Sequence, residues 1–179
     1  MFEYTHIKYI HVKYIHIKYA RIYLLTGLMG LLASSFAQDN PVSVNLEIYV
    51  VSEVTAADGS VSERFEQADS ARPGQAVEYR LLVTNQDDIT LPEGTVVVTG
   101  PIPESTTFIA NSATPSSANV LTEYSLDGST FSEPPLFTND ANGEQITALP
   151  SSYRAVRWTL LTPFEPSEQT TLVYRVTVE

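Results

Sequence analysis

The sequence predicts an all-β domain, a sandwich of about seven to nine mostly antiparallel strands preceded by a signal peptide. Three observations predict it. Beyond residue 37, apolar and polar side chains alternate at the two-residue period of half-buried strands, and no stretch keeps a helical period. Turn signals separate these runs at Asp58-Gly59, at Arg72-Pro73-Gly74-Gln75 and at Asp127-Gly128. Cysteine is absent from all 179 residues, so the fold must be held by core burial rather than by disulfides.

The leader comes first. Residues 1–21 carry a five-residue unit three times, beginning at His6, His11 and His16, each followed by an apolar residue, a Lys and Tyr. A period of five fits neither helix nor strand. Three histidines suggest a metal site. Low-complexity sequence inside a removed leader accounts for them better. Ile22 to Ala37 is apolar and uncharged, follows Lys18 and Arg21, and ends in Ser35-Phe36-Ala37, the small-residue arrangement of a cleavage site. Gly27, Gly30, Ser34 and Ser35 break the run, which falls short of the roughly 20 apolar residues of a membrane span. The expectation is therefore a signal peptide over 1–37 and one domain over 38–179, exported to the periplasm or the medium.

The strands follow in order. Val44, Leu46, Ile48 and Val50 alternate along the first. Asp58-Gly59 joins Glu53–Ala57 to Ser60–Phe65 as a hairpin. After the turn at 72–75, Val77, Tyr79, Leu81 and Val83 share a face, and the strand stops at Asn85-Gln86-Asp87-Asp88. Thr95–Thr99 is β-branched throughout, between Pro92-Glu93-Gly94 and Gly100-Pro101. Thr106–Ile109 is short. Val120–Leu126 enters a second hairpin with Phe131 on the return. Ser132–Glu144, rich in Pro, Asn, Asp and Gly, reads as loop. Ala155–Leu161 and Thr170–Val178 complete the set, with Leu172, Tyr174, Val176 and Val178 on one face of the last strand and Val173, Arg175 and Thr177 on the other. Many short strands with turn signals between them predict a sandwich or a barrel. Strand order is not legible.

Composition excludes much chemistry. All three Lys and all three His lie within the first 18 residues. Beyond the leader, six Arg face 20 acids, a net charge of −14, which disfavours nucleic acid and anionic lipid. Without His, Cys or Lys, that segment has no imidazole base, thiol nucleophile, Schiff-base amine or soft-metal ligand. A Lys–Asn isopeptide crosslink is impossible there as well. No glycine-rich phosphate loop occurs. Carboxylates survive, but no motif singles out a catalytic pair. The expectation is a chain with no catalytic residues, no cofactor and no metal, and therefore not an enzyme.

Two acidic segments invite a calcium reading. Asp140-Ala141-Asn142-Gly143-Glu144 fails the EF-hand pattern, because Gln145 stands where that loop needs glycine. Asp87-Asp88 lies between strands. Ordinary turn chemistry explains both. Trp158, the single tryptophan, alternates with Val156 and Leu160, which favours a core anchor over a sugar-stacking platform. Tyr79 and Tyr174 read as core in the same way.

Certain segments carry a family resemblance. Arg72-Pro-Gly-Gln-Ala-Val-Glu-Tyr-Arg-Leu-Leu-Val-Thr-Asn85, then Val96-Val-Val-Thr-Gly-Pro-Ile-Pro-Glu-Ser-Thr-Thr-Phe-Ile109, resemble the conserved-repeat domain of bacterial surface proteins known as domain of unknown function eleven, or DUF11. Tyr124–Gly128 and Val156–Leu160 resemble its later hairpin and penultimate strand. The chain departs from the pattern at Gly100, where the family usually has Asp, and at Glu165-Pro-Ser-Glu168, where a Pro-Gly turn is usual. The resemblance covers about residues 70–179 in a single copy. It implies an immunoglobulin-like sandwich at or beyond the cell envelope and supplies no catalytic residues.

The expected function is a non-catalytic structural or protein-interaction module of the bacterial envelope. Its partners would be envelope proteins met through strand edges or loops, and it would touch membrane only through the transient signal peptide. The alternative is a glycan- or calcium-binding module using the loops at one end of the sandwich.

Overall fold

The computed structural model describes residues 5–6 and 40–179. The apolar run Ile22–Ala37 and the cleavage site expected after it, with His11 and His16, lie outside the described residues; of the expected leader only Thr5–His6 is described. The described chain is all-β. Its strands are β1 (Thr5–His6), β2 (Val42–Thr55), β3 (Val61–Gln67), β4 (Ser70–Ala71), β5 (Ala76–Asn85), β6 (Val97–Pro101), β7 (Thr106–Phe108), β8 (Val120–Ser125), β9 (Phe137–Asn139), β10 (Gln145–Thr147), β11 (Ala155–Leu160) and β12 (Gln169–Val178). A three-residue 3₁₀ turn spans Pro150–Ser152.

Two antiparallel sheets form the sandwich, ordered β3-β2-β5-β12-β7 and β6-β11-β8. The pair β9-β10 and the two-residue ladder β1-β4 stand beside them. The layers are those of an immunoglobulin-like sandwich, but the connectivity is not that of an immunoglobulin constant domain. There the first, second, fifth and fourth of seven strands form one sheet and the third, sixth and seventh the other. Counting β2, β5, β6, β7, β8, β11 and β12 as the seven, the last strand here takes the place of the fifth, and the fifth takes the place of the last.

The core lies where the two sheets face each other. Val77, Tyr79, Leu81 and Val83 from β5 and Leu172, Tyr174, Val176 and Val178 from β12 meet Val98 of β6 and Val156, Trp158 and Leu160 of β11. Tyr79 and Tyr174 stack with centroids 4.9 Å apart, and Trp158 lies 6.0 Å from Tyr174. Such pairs contribute about 0.5–1.5 kcal/mol each beyond their buried area. Trp158 is fully buried and donates its indole N–H to the Thr114 carbonyl at 3.1 Å. It is a core anchor, and burial removes it as a sugar platform.

Gly100 sits at the tightest point between the layers. A Cβ there would lie 2.7 Å from Tyr174 Cε1 and 3.2 Å from Trp158 Cζ3. A side chain at this position, aspartate included, would collide with the Tyr174 ring. Residues 109–117 cross from one sheet to the other. Ile109 and Thr114 bond to β12 through their N–H groups, and Ser116 Oγ and Ser117 N–H bond to β8.

Three sequence readings need correction. The segments read separately around Val44–Val50 and Glu53–Ala57 are one strand, β2, of 14 residues. The 132–144 loop contains β9, which pairs with β10 through a turn at Asp140–Gly143. The return of the second hairpin is a single bridge, Tyr124 to Ser132, rather than a strand.

Candidate functional site

β2 is longer than its partner. Val42–Val51 pair with β5, while Ser52–Thr55 pair only with β3, so the β2–β3 hairpin extends past the end of the β2–β5 ladder. β3 is the edge of the five-stranded sheet, and all seven of its residues are exposed. Val61 is 61% and Phe65 37% exposed. This is the longest edge strand among the described residues of the two main sheets. β7, the opposite edge, has three residues.

The ladder fixes which backbone groups β3 presents. Ala68 N–H donates to Ile48 O and Ala56 N–H to Ser60 O, at the two ends of the hairpin and in one register. Hydrogen-bonded pairs recur at every second position of an antiparallel ladder. Ser62, Arg64 and Glu66 therefore bond to β2, and Val61, Glu63, Phe65 and Gln67 direct N–H and C=O away from the sheet.

The solvent face beside this edge is stiffened by charge. Glu78, directly opposite Arg175 in the ladder and only 4% exposed, accepts hydrogen bonds from Arg175 Nε at 2.7 Å and from Arg80 Nε. Arg175 then reaches across the sheet to Glu63 of β3 through both terminal nitrogens, at 2.6 and 2.8 Å. Those bonds hold the Glu63 carboxyl below its usual pKa and raise that of the guanidinium. The Arg80 guanidinium lies over Tyr49 at 4.4 Å and over Phe65 at 4.6 Å, and Tyr49 donates to Glu47 at 3.0 Å. Cation–π contact at such a surface contributes about 0.5–1 kcal/mol. One connected group thus ties β3 to β12 across the sheet.

A second surface lies on the outer face of the small sheet. Arg157 forms a two-nitrogen bond to Glu123 at 2.7 and 2.9 Å and stacks over Phe131 at 4.2 Å. Arg157 and Phe131, with Thr95, Thr99 and Thr159, border an open groove of about 800 Å³.

The acidic turns are occupied by their own backbone. Asp140 accepts from the N–H groups of Asn142 and Glu144, both at 2.8 Å, and closes the β9–β10 turn. Asp127 accepts from Ser129 and Thr130 N–H at 2.7 Å, which holds its carboxyl far below the usual range. Asp87 accepts from the Asp88 N–H. Among the described residues no three His, Asp or Glu side chains are grouped to hold a metal ion.

Neither of the two charged groups was legible before the structure. Alternation placed Arg175 on the face away from the core, but its meeting with Glu78 and Glu63 requires the register of four strands. Compared with family models, with curated proteins and with solved structures, the chain matches none.

Proposed function

We propose that this chain is a non-catalytic exported module of the bacterial cell envelope that binds other proteins by strand addition at β3. The observation that carries the reading is the β3 edge: seven exposed residues with four sets of outward backbone donors and acceptors, braced by Arg175 and Arg80. Unpaired strand edges template pairing with a further strand, and main-chain hydrogen bonds supply the affinity. The lack of His, Cys and Lys beyond Lys18 and the resemblance to the envelope family DUF11 support the same reading. Localisation to the periplasm or the medium belongs to the proposal.

The groove bordered by Phe131, Arg157 and three threonines favours a glycan as a second reading. Calcium has no comparable support, since Asp127 and Asp140 already serve backbone N–H groups.

The test is photo-crosslinking in the native envelope. A crosslinking side chain at position 63 or 67 should trap a protein, and one at exposed Glu104 should not. Equal trapping at all three positions would overturn the reading, as would turnover of an envelope glycan by the purified chain.

A further inference from the structure

The residues of β3 are complementary to themselves. We infer that the strand added at β3 is β3 of a second copy of this chain, paired antiparallel about a twofold axis at Phe65. The inference rests on the edge-binding reading above and names its partner.

A twofold axis normal to the sheet keeps the two outer faces on one side, so odd-numbered residues oppose odd and even oppose even. The central registers can then be compared one by one. An axis at Glu63 sets Glu63 against its own copy. An axis at Arg64 does the same for Arg64, and one at Glu66 for Glu66. Like charges directly opposite destabilise a sheet. The axis at Phe65 avoids all three. It sets Phe65 against Phe65, and it sets Arg64 against Glu66 twice. Glu63 and Gln67 also meet twice, where an amide can donate to a carboxylate.

The backbone agrees with this register. Phe65, Glu63 and Gln67 are the residues whose N–H and C=O face outward, and at this axis they oppose one another. The arrangement provides two hydrogen bonds at the central pair and two at each flanking pair, joining two five-stranded sheets into one of ten strands. Arg64 and Glu66 are available for the exchange. They pair with each other at 2.7 Å within β3, with side chains 65% and 56% exposed. Phe65 is held by Arg80 and Arg175, whose guanidinium carbons lie 4.6 and 5.6 Å from its ring centroid. An interface of one strand is small, so the association is of the transient kind.

Charge exchange tests the register in the chain as recovered from the expressing cell. Sedimentation equilibrium over a wide concentration range should show a monomer–dimer equilibrium. Arg64→Glu alone and Glu66→Arg alone each turn both cross-strand pairs repulsive and should weaken it by about tenfold or more. An equimolar mixture of these two variants should form a heterodimer at least as tight as the wild-type dimer. Gln67→Pro, which removes an outward N–H and no bond to β2, should abolish dimers. A wild-type chain that stays monomeric, or a mixture no tighter than its components, would overturn self-pairing. If position 63 still trapped a different protein, strand addition would stand with another partner. If Gln67→Pro left all association and trapping unchanged, both readings would fall.

Discussion

Gly100→Ala tests the packing of the two sheets most sharply. The added methyl would sit 2.7 Å from Tyr174 Cε1, against an ordinary carbon–carbon contact of roughly 3.5–4.0 Å. The ring has nowhere to go. Tyr174 is fully buried and stacked on Tyr79 at 4.9 Å, and its hydroxyl donates to the Pro101 carbonyl at 2.7 Å. Either the layers separate by about 1 Å or the stack and the hydrogen bond distort. Overpacking of this kind costs about 1–3 kcal/mol, offset by roughly 0.5–1 kcal/mol from replacing glycine inside a strand. The midpoints leave a net loss of about 1 kcal/mol, a fall in Tm of roughly 3–5 °C for a domain of this size. Gly100→Val should cost more again. Denaturant unfolding gives the values, and a double-mutant cycle with Tyr174→Leu gives the cause. On that background the Gly100→Ala cost should fall by more than half. A variant as stable as wild type, or an equal cost on both backgrounds, would refute the facing of Gly100 and Tyr174.

Other outcomes follow from the same geometry. Glu78→Ala leaves two partly exposed arginines without their shared carboxylate and should cost about 1–3 kcal/mol, while Glu66→Ala, at an exposed pair, should cost under about 0.5 kcal/mol, both read by denaturant unfolding. Burial pushes the Tyr79 hydroxyl up to about 12, so the folded state keeps a proton that the unfolded state releases near pH 10. Its stabilisation is intact below pH 10 and is lost as pH rises toward 12. Tyr79→Phe should flatten that alkaline loss in melting curves. The reverse sign holds for Asp58, Asp127 and Asp140, whose lowered pKa values make their stabilisation complete above pH 4 and lost as pH falls below it. Asn85, fully buried, donates to the carbonyls of Ile89 and Phe164 and accepts from Asp87 N–H; Asn85→Ala should cost about 1–3 kcal/mol in the same unfolding assay.

Local chemistry was legible where one strand decides it alone. Alternation in β5, β11 and β12 placed Tyr79, Trp158 and Tyr174 inside, and Gly59, Gly74 and Gly128 take the positive φ that their turn sequences demand. What depends on pairing between distant strands was not legible. Nothing local in Thr106–Phe108 says that it borders β12, or that β12 rather than β8 lies beside β5. β9 was missed because Phe137–Asn139 is three residues between turn-formers and pairs only through β10. The long β2 was split because Ser52 and Glu53 interrupt the apolar alternation at the point where the strand leaves the core and its two faces become solvated. The edge at β3 had the same difficulty: Val61-Ser-Glu-Arg-Phe-Glu-Gln67 reads as the arm of a hairpin, and only the sheet order makes it a border.

Amide hydrogen exchange along β3, residue by residue, tests the open edge most directly. At low protein concentration Ser62, Arg64 and Glu66, bonded to β2, should exchange slowly, and Glu63, Phe65 and Gln67 should exchange at nearly the rate of unstructured chain. At high concentration the odd-numbered three should slow as a group. Uniform protection in dilute solution, or uniform fast exchange across the strand, would contradict an edge held ready for another strand.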